Sequence, residues 1–137
     1  CSKASVLYHF ENKAAILSEV MEPTATHMDA LVRRLVTFPP EQVQERAIDE
    51  FIEVAVRYRG LAVMLEGIQI ADEIPSLAAV ADSCSLLPQL LAGGTDADRL
   101  SVAMFALNGA IAECKDQERD DDSLRAVLQL CLRRLLL

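Results

Sequence analysis

Apolar residues recur along this chain at helical spacing, and the pattern predicts a succession of amphipathic helices. The first is short, from Ser2 to Phe10: Ser2 can cap its start, and Ala4, Val6, Leu7 and Phe10 supply apolar contacts. Glu11 and Asn12 are expected to break it, with Asn12 capping a second helix from Lys13 that carries Ile16, Leu17, Val20 and Met21 on one side. Pro23 removes a backbone donor inside that pattern, yet apolar spacing resumes at Met28, Leu31, Val32, Leu35 and Val36. The prediction is therefore one long helix kinked at Pro23. Phe38, Pro39 and Pro40 end it, and Pro40 suits the first turn of the next helix.

That next helix is predicted from about Glu41 to Arg59, with Ala47, Phe51, Val54 and Tyr58 as one stripe and Ile48, Ile52 and Ala55 widening it. Its other face is charged, and Glu53 and Arg57 are correctly ordered for an i,i+4 pair. From Gly60 to Ala71 the chain is apolar nearly all round, as for a helix enclosed by others, and Asp72 and Glu73 mark its end. Pro75 opens a further helix, which Pro88 divides or kinks before Gly93 and Gly94 stop it. In the penultimate helix Leu100, Met104, Leu107 and Ile111 share one face, while Val102, Phe105, Ala106 and Gly109 cover much of the rest. The final helix, from about Ser123, places Leu124, Val127, Leu128, Cys131 and Leu135 at helical spacing, with Leu130, Leu132 and Leu136 as a second apolar surface. One partner cannot cover two apolar faces, so both helices call for a second packing surface. The acidic connection between them, Asp116 to Asp122, reads as a solvated turn whose Asp120, Asp121 and Asp122 favour the positive start of the last helix. It lacks the glycine and the spaced oxygens of a calcium loop.

Composition agrees with an all-α fold: 52% of residues are apolar but only 4% aromatic, a balance carried by Leu, Ala and Val. The 137 residues are enough for one domain with a sizeable core. A net charge of −8 repels nucleic acid at long range, so any DNA contact must be local. No run has the make-up of a secretory signal or the length of a membrane span, and the expected location is cytoplasmic. Cys1, Cys84, Cys114 and Cys131 are far apart and form no CxxC pair or Cys/His cluster, so reduced, mostly buried thiols are expected, with no metal and no disulfide framework. The two histidines, His9 and His27, lie on the first helices, and His27 is expected at the surface. No phosphate-cradling glycine pattern is present, and the expectation is a protein that is not an enzyme and takes no cofactor.

Specific chemistry begins at the amino end, in Ser2-Lys3-Ala4-Ser5-Val6-Leu7-Tyr8-His9-Phe10-Glu11-Asn12-Lys13. Two lysines against Glu11 give this stretch a local charge of +1 with His9 neutral, so it escapes the acidic balance of the whole. Lys3 and Ser5 suit a major groove, and Tyr8, His9 and Lys13 offer phosphate donors. The stretch resembles the end of the DNA-binding domain of TetR-family transcriptional regulators, where a recognition helix finishes in a Tyr-(Tyr/His/Phe)-Phe run followed by a short turn and a lysine. The resemblance implies that residues 1–22 are the end of a helix-turn-helix domain and the start of a linking helix, and that residues 23–137 form a ligand-sensing and dimerisation domain. It also implies that about 30–40 residues of supporting helix precede Cys1 in the intact protein.

By the same resemblance the protein is a TetR-like helical bundle, a homodimer through its last two helices, and a repressor released from operator DNA by a small apolar or amphipathic effector. The implied interface residues are Leu100, Ala103, Met104, Ala106, Leu107, Ala110, Ile111, Leu124, Val127, Leu128, Cys131 and Leu135. Candidate effector-lining residues are Met28, Phe51, Tyr58, Met64, Phe105 and Asn108, with Glu66 or Gln69 as polar anchors. Ordinary core packing is the competing reading of the Met and Phe positions. The alternative to a regulator is a dimeric all-helical interaction or ligand-binding domain without DNA activity.

Overall fold

Proline and glycine set the punctuation of the chain. A computed structural model describes residues 3–60, 85–116 and 118–137, with the side chains of residues 3–14, 17 and 18 outside that description. Among the described residues the architecture is all helical, without a strand. Helix α1 is Lys3–Leu35, α2 is Pro40–Arg57, α3 covers 85–92, α4 is Ala97–Cys114 and α5 is Asp121–Leu136. None of these helices is long and apolar enough to cross a membrane.

Helix α1 corrects the expected break. It runs unbroken through Glu11 and Asn12 and on through Pro23. Neither Glu11 nor Asn12 removes a backbone donor, and Asn costs well under 1 kcal/mol inside a helix, so local polarity alone does not stop propagation. The helix ends where backbone chemistry demands it: Pro39 carries an extended ψ of 144° and Pro40 opens α2. The two ends of α3 and α4 are equally explicit. Gly93, at φ 70°, receives the left-handed position after α3, with Gly93 N bonded to Leu90 O at 3.3 Å and Gly94 N to Gln89 O at 3.1 Å. Asp96 then caps α4 by accepting from Arg99 N at 3.1 Å, and Asp120 caps α5 by accepting from Ser123 N at 2.7 Å, with Asp121 and Asp122 in the first turn. Pro88 lies within α3, which continues past it to residue 92.

Helix α2 is the hub, packing against α1, α4 and α5, while α4 also packs on α5. Its Ala47, Ile48, Phe51, Ile52, Val54 and Val56 are buried together with Leu31 and Leu35 of α1, Leu91 of α3, Leu107 of α4 and Leu124, Leu128 and Leu132 of α5. A fully buried Leu or Ile side chain contributes about 1.5–3 kcal/mol, and ion pairs on the rim contribute about 0–1 kcal/mol each, so the apolar stripe holds the bundle and the charges align it. The aligning charges join α5 to α2 and to the residues just past its end. Arg133 reaches Glu45 at 3.1 Å and Asp49 at 2.7 Å, Arg125 grips Glu53 at 2.8 and 3.3 Å, and Arg59 reaches Asp121 at 3.1 Å. The hydrogen bonds that Arg125 donates to Glu53 raise its pKa above its ordinary value, and those that Arg133 donates to Glu45 and Asp49 do the same for Arg133. Glu53 thus serves α5 in a two-pronged pair instead of the expected i,i+4 pair with Arg57, because a guanidinium fork offers two bonds at once. Arg57 lies over the Tyr58 ring, 5.4 Å from its centroid.

A half-buried glutamine ties three helix ends together. Gln44 Nε2 on α2 donates to Leu91 O at 2.9 Å and to Leu136 O at 2.8 Å, two carbonyls in the last turns of α3 and α5. A Cβ placed on Gly93 would stand 3.0 Å from Gln44 Oε1, so the glycine provides both the left-handed turn and the room for this clamp.

Candidate functional site

The inward stripe of α4 fixes what its outward face can be. Ala103, Ala106, Leu107, Ala110 and Cys114 are buried, and at 100° per residue Val102, Phe105 and Gly109 must then point away from the core. Phe105 is 76% exposed. Beside it a groove of about 140 Å³ runs between α4 and α5, floored by Ala106, Ala110, Leu128 and Leu132 and flanked by Gly109, Glu113, Val127 and Cys131. A Cβ on Gly109 meets nothing within 4 Å, so another surface can approach the α4 backbone closely. Leu130 and Cys131 extend the exposed apolar strip along α5.

The expected interface residues divide accordingly. Ala103, Ala106, Leu107, Ala110, Leu124 and Leu128 belong to the chain's own core, and Leu100 and Val127 are partly buried. Met104, Ile111, Cys131 and Leu135 are exposed, with Met104 and Ile111 on the flank of α4 opposite Phe105. Apolar residues all round a helix hide its phase, which is why Leu107 and Leu128 read as surface and Phe105 as pocket. Of the two described thiols Cys131 is exposed, whereas Cys114 is buried and its Sγ donates to Ala55 O at 3.7 Å. Burial pushes the Cys114 thiol pKa up, partly opposed by the charge of Arg59. Cys1 and Cys84 lie outside the described residues.

Lys3, Ser5, Tyr8, His9 and Lys13 occupy the first turns of α1, and their side chains lie outside the description. Farther along the same helix Ile16 and Val20, four residues apart, are exposed, and Met21 is buried.

The effector candidates are not brought together as a set. Met64, Glu66 and Gln69 lie outside the described residues. Met28 and Phe51 are buried in the core, while Phe105 and Asn108 face outward on α4, on the wrong side to share a cavity with them. Tyr58 does find a polar partner, and it is His27, expected at the surface but half-buried. His27 Nδ1 and Tyr58 Oη are 3.3 Å apart, and the rings meet edge to face at 5.8 Å. One turn before His27, Thr24 is buried and its Oγ1 has no hydrogen-bond partner. Nothing in the sequence pattern singles out Thr24, because its burial depends on which face of α1 the core selects.

A second, open cleft of about 440 Å³ lies at the end of the bundle, lined by Gln44, Ala92, Asp98, Arg99, Val102, Arg134 and Leu135 to Leu137. Its rim mixes both charge signs. Among the described residues no group of three His, Cys, Asp or Glu side chains is placed to hold a metal ion. No family model matches this chain, and no curated protein or solved structure matches it.

Proposed function

We propose that the protein is a dimeric, ligand-responsive transcriptional regulator of the TetR type, with Lys3, Ser5, Tyr8, His9 and Lys13 as its DNA-contacting residues. The observation that carries the reading is the outward apolar strip of α4 and α5, centred on Phe105, which a second copy of the chain would cover as a four-helix arrangement. Such a dimer holds two amino-terminal segments at a set separation, which recognition of two half-sites requires. An effector bound among the middle helices would shift the population between separations that fit the operator and those that do not.

Phe105→Glu is expected to convert a sedimenting dimer into a folded monomer, because the charge enters an exposed position. Ala106→Glu would not discriminate, since Ala106 is buried in the protomer and the charge would disrupt its core. In the intact protein Tyr8→Ala is expected to weaken operator binding in a salt-controlled gel shift while leaving the dimer in place. A dimer that survives Phe105→Glu, or affinity unchanged by Tyr8→Ala, overturns the corresponding half of the proposal. One observation favours the alternative of a dimeric interaction domain without DNA activity: α1 does not turn at Glu11 and Asn12, where a helix-turn-helix reader would end its recognition helix. Unaltered dimerisation together with no DNA binding by the intact protein would select that alternative.

A further inference from the structure

We propose that Thr24, His27 and Tyr58 form the polar end of the effector site, and that its ligand is a neutral, mostly apolar small molecule presenting one hydroxyl or carbonyl group. This rests on the regulator reading only for the word effector; the site itself rests on the orphan Thr24 hydroxyl and the His27–Tyr58 pair one turn along. Thr24 is 9% exposed and is the one buried polar side chain among the described residues, yet its Oγ1 makes no hydrogen bond. A helical threonine ordinarily returns its hydroxyl to the carbonyl four residues earlier, here that of Val20, and this one does not. A buried hydroxyl without a partner costs folding free energy, and native proteins rarely keep one without a use.

The surroundings supply the rest of a recognition site. Met21 and Met28 are buried one turn to either side of Thr24 on α1, and thioether side chains adapt to ligands of irregular shape. His27 is three residues on from Thr24, hence adjacent on the helix surface, and shares a hydrogen bond with Tyr58 across to α2. That pair can present either polarity. When the Tyr58 hydroxyl donates to Nδ1, its lone pairs remain to accept from a ligand hydroxyl. When the imidazole carries the Nδ1 proton and donates to the phenol oxygen, the phenol proton is free for a ligand carbonyl. The Thr24 hydroxyl has the same two-way capacity. Of the cations nearest Tyr58, Arg57 is exposed and Arg59 is already engaged by Asp121 and Asp116 O, so an anionic ligand would be desolvated without a free buried cation among the described residues to balance it.

The absence of tryptophan permits a direct test with 2-naphthol, whose emission is read without interference, compared with naphthalene and 2-naphthoate on the full chain. The expected result is that 2-naphthol binds about 5–10-fold more tightly than naphthalene, the margin of one neutral hydrogen bond, and more tightly than 2-naphthoate. Thr24→Val and Tyr58→Phe should each erase most of that margin while leaving naphthalene affinity unchanged. Thr24→Val should also raise the melting temperature of the unliganded protein, since it removes the orphan hydroxyl at constant shape, and this readout confirms folding. Equal affinity for 2-naphthol and naphthalene, no binding of 2-naphthol up to its solubility, or a margin that survives Thr24→Val would each overturn the site. Preference for 2-naphthoate would overturn the ligand class. A monomeric or DNA-silent protein that keeps the 2-naphthol preference would sink the regulator reading alone.

Discussion

Replacing Gln44 tests whether one side chain joins the ends of three helices. Its Nε2 donates to Leu91 O and Leu136 O at 2.9 and 2.8 Å, and both acceptors lie in final helical turns, where carbonyls lack an intrahelical donor. A neutral hydrogen bond contributes about 0.5–1.5 kcal/mol, and Gln44 is half-buried, so water recovers part of each; Gln44→Ala should cost about 1–2 kcal/mol. In a chain of this length that lowers the melting midpoint by about 3–8 °C. Gln44→Glu should be worse near pH 7, because a carboxylate cannot donate and sits against the negative ends of two helices, adding about 0.3–1 kcal/mol for each. The introduced carboxyl would have its pKa raised in the folded state. Its deficit should therefore be absent below the unfolded value of about 4.3 and should grow as pH rises through the folded one. Urea titrations followed by circular dichroism at pH 4 and pH 7 read all of this. A Gln44→Ala midpoint equal to that of the parent, or a Gln44→Glu protein no less stable than Gln44→Ala at pH 7, would refute the clamp.

Two further predictions concern caps and thiols. Asp96→Ala and Asp120→Ala each remove a side-chain acceptor at a helix start and should each lower stability by about 1 kcal/mol in urea denaturation, additively, since they cap different helices; strong non-additivity would contradict independent capping. Iodoacetamide at neutral pH should label Cys131 faster in the Phe105→Glu monomer than in the dimer that covers it, and should spare Cys114 in both until urea is added, as read by mass spectrometry. The Cys114 pKa is raised by folding above its ordinary 9.0, so the stability it contributes is fully present below about pH 9 and is lost as pH rises toward the folded value.

The parts of the fold legible in the sequence are those set by backbone chemistry. Pro39-Pro40, Gly93-Gly94 and the acidic start of α5 at Asp120 to Asp122 each act on their own neighbours, so their effect needs no knowledge of the rest of the chain, whereas the Asp96 cap of α4 was not singled out. The phase of α4 and α5 was not legible, because Phe105, Leu107, Leu128 and Leu130 are equally apolar and only packing against α2 decides which turn inward. The long-range polar contacts were hidden for a related reason. Gln44 bonds backbone carbonyls 47 and 92 residues away, and any residue type carries a carbonyl. The pairing of His27 with Tyr58 spans 31 residues, so two unremarkable positions gain meaning only when α1 and α2 are docked. The break expected at Glu11 and Asn12 weighed residue polarity against the cooperativity of a helix already under way, and cooperativity won.

The unbroken course of α1 has a mechanical consequence. Met21 is the first buried residue of α1 among those whose side chains are described, and the 18 residues of continuous helix from there back to Lys3 span about 27 Å, so a tilt of about 10° at Met21 sweeps Lys3 through about 5 Å. Pro23, with no backbone proton to donate, leaves the weakest rung of the helix beside that fulcrum, and Thr24 is its immediate neighbour. A molecule that engages Thr24 would thus press on the lever at its pivot, where a displacement too small to disturb the core is magnified at the far end.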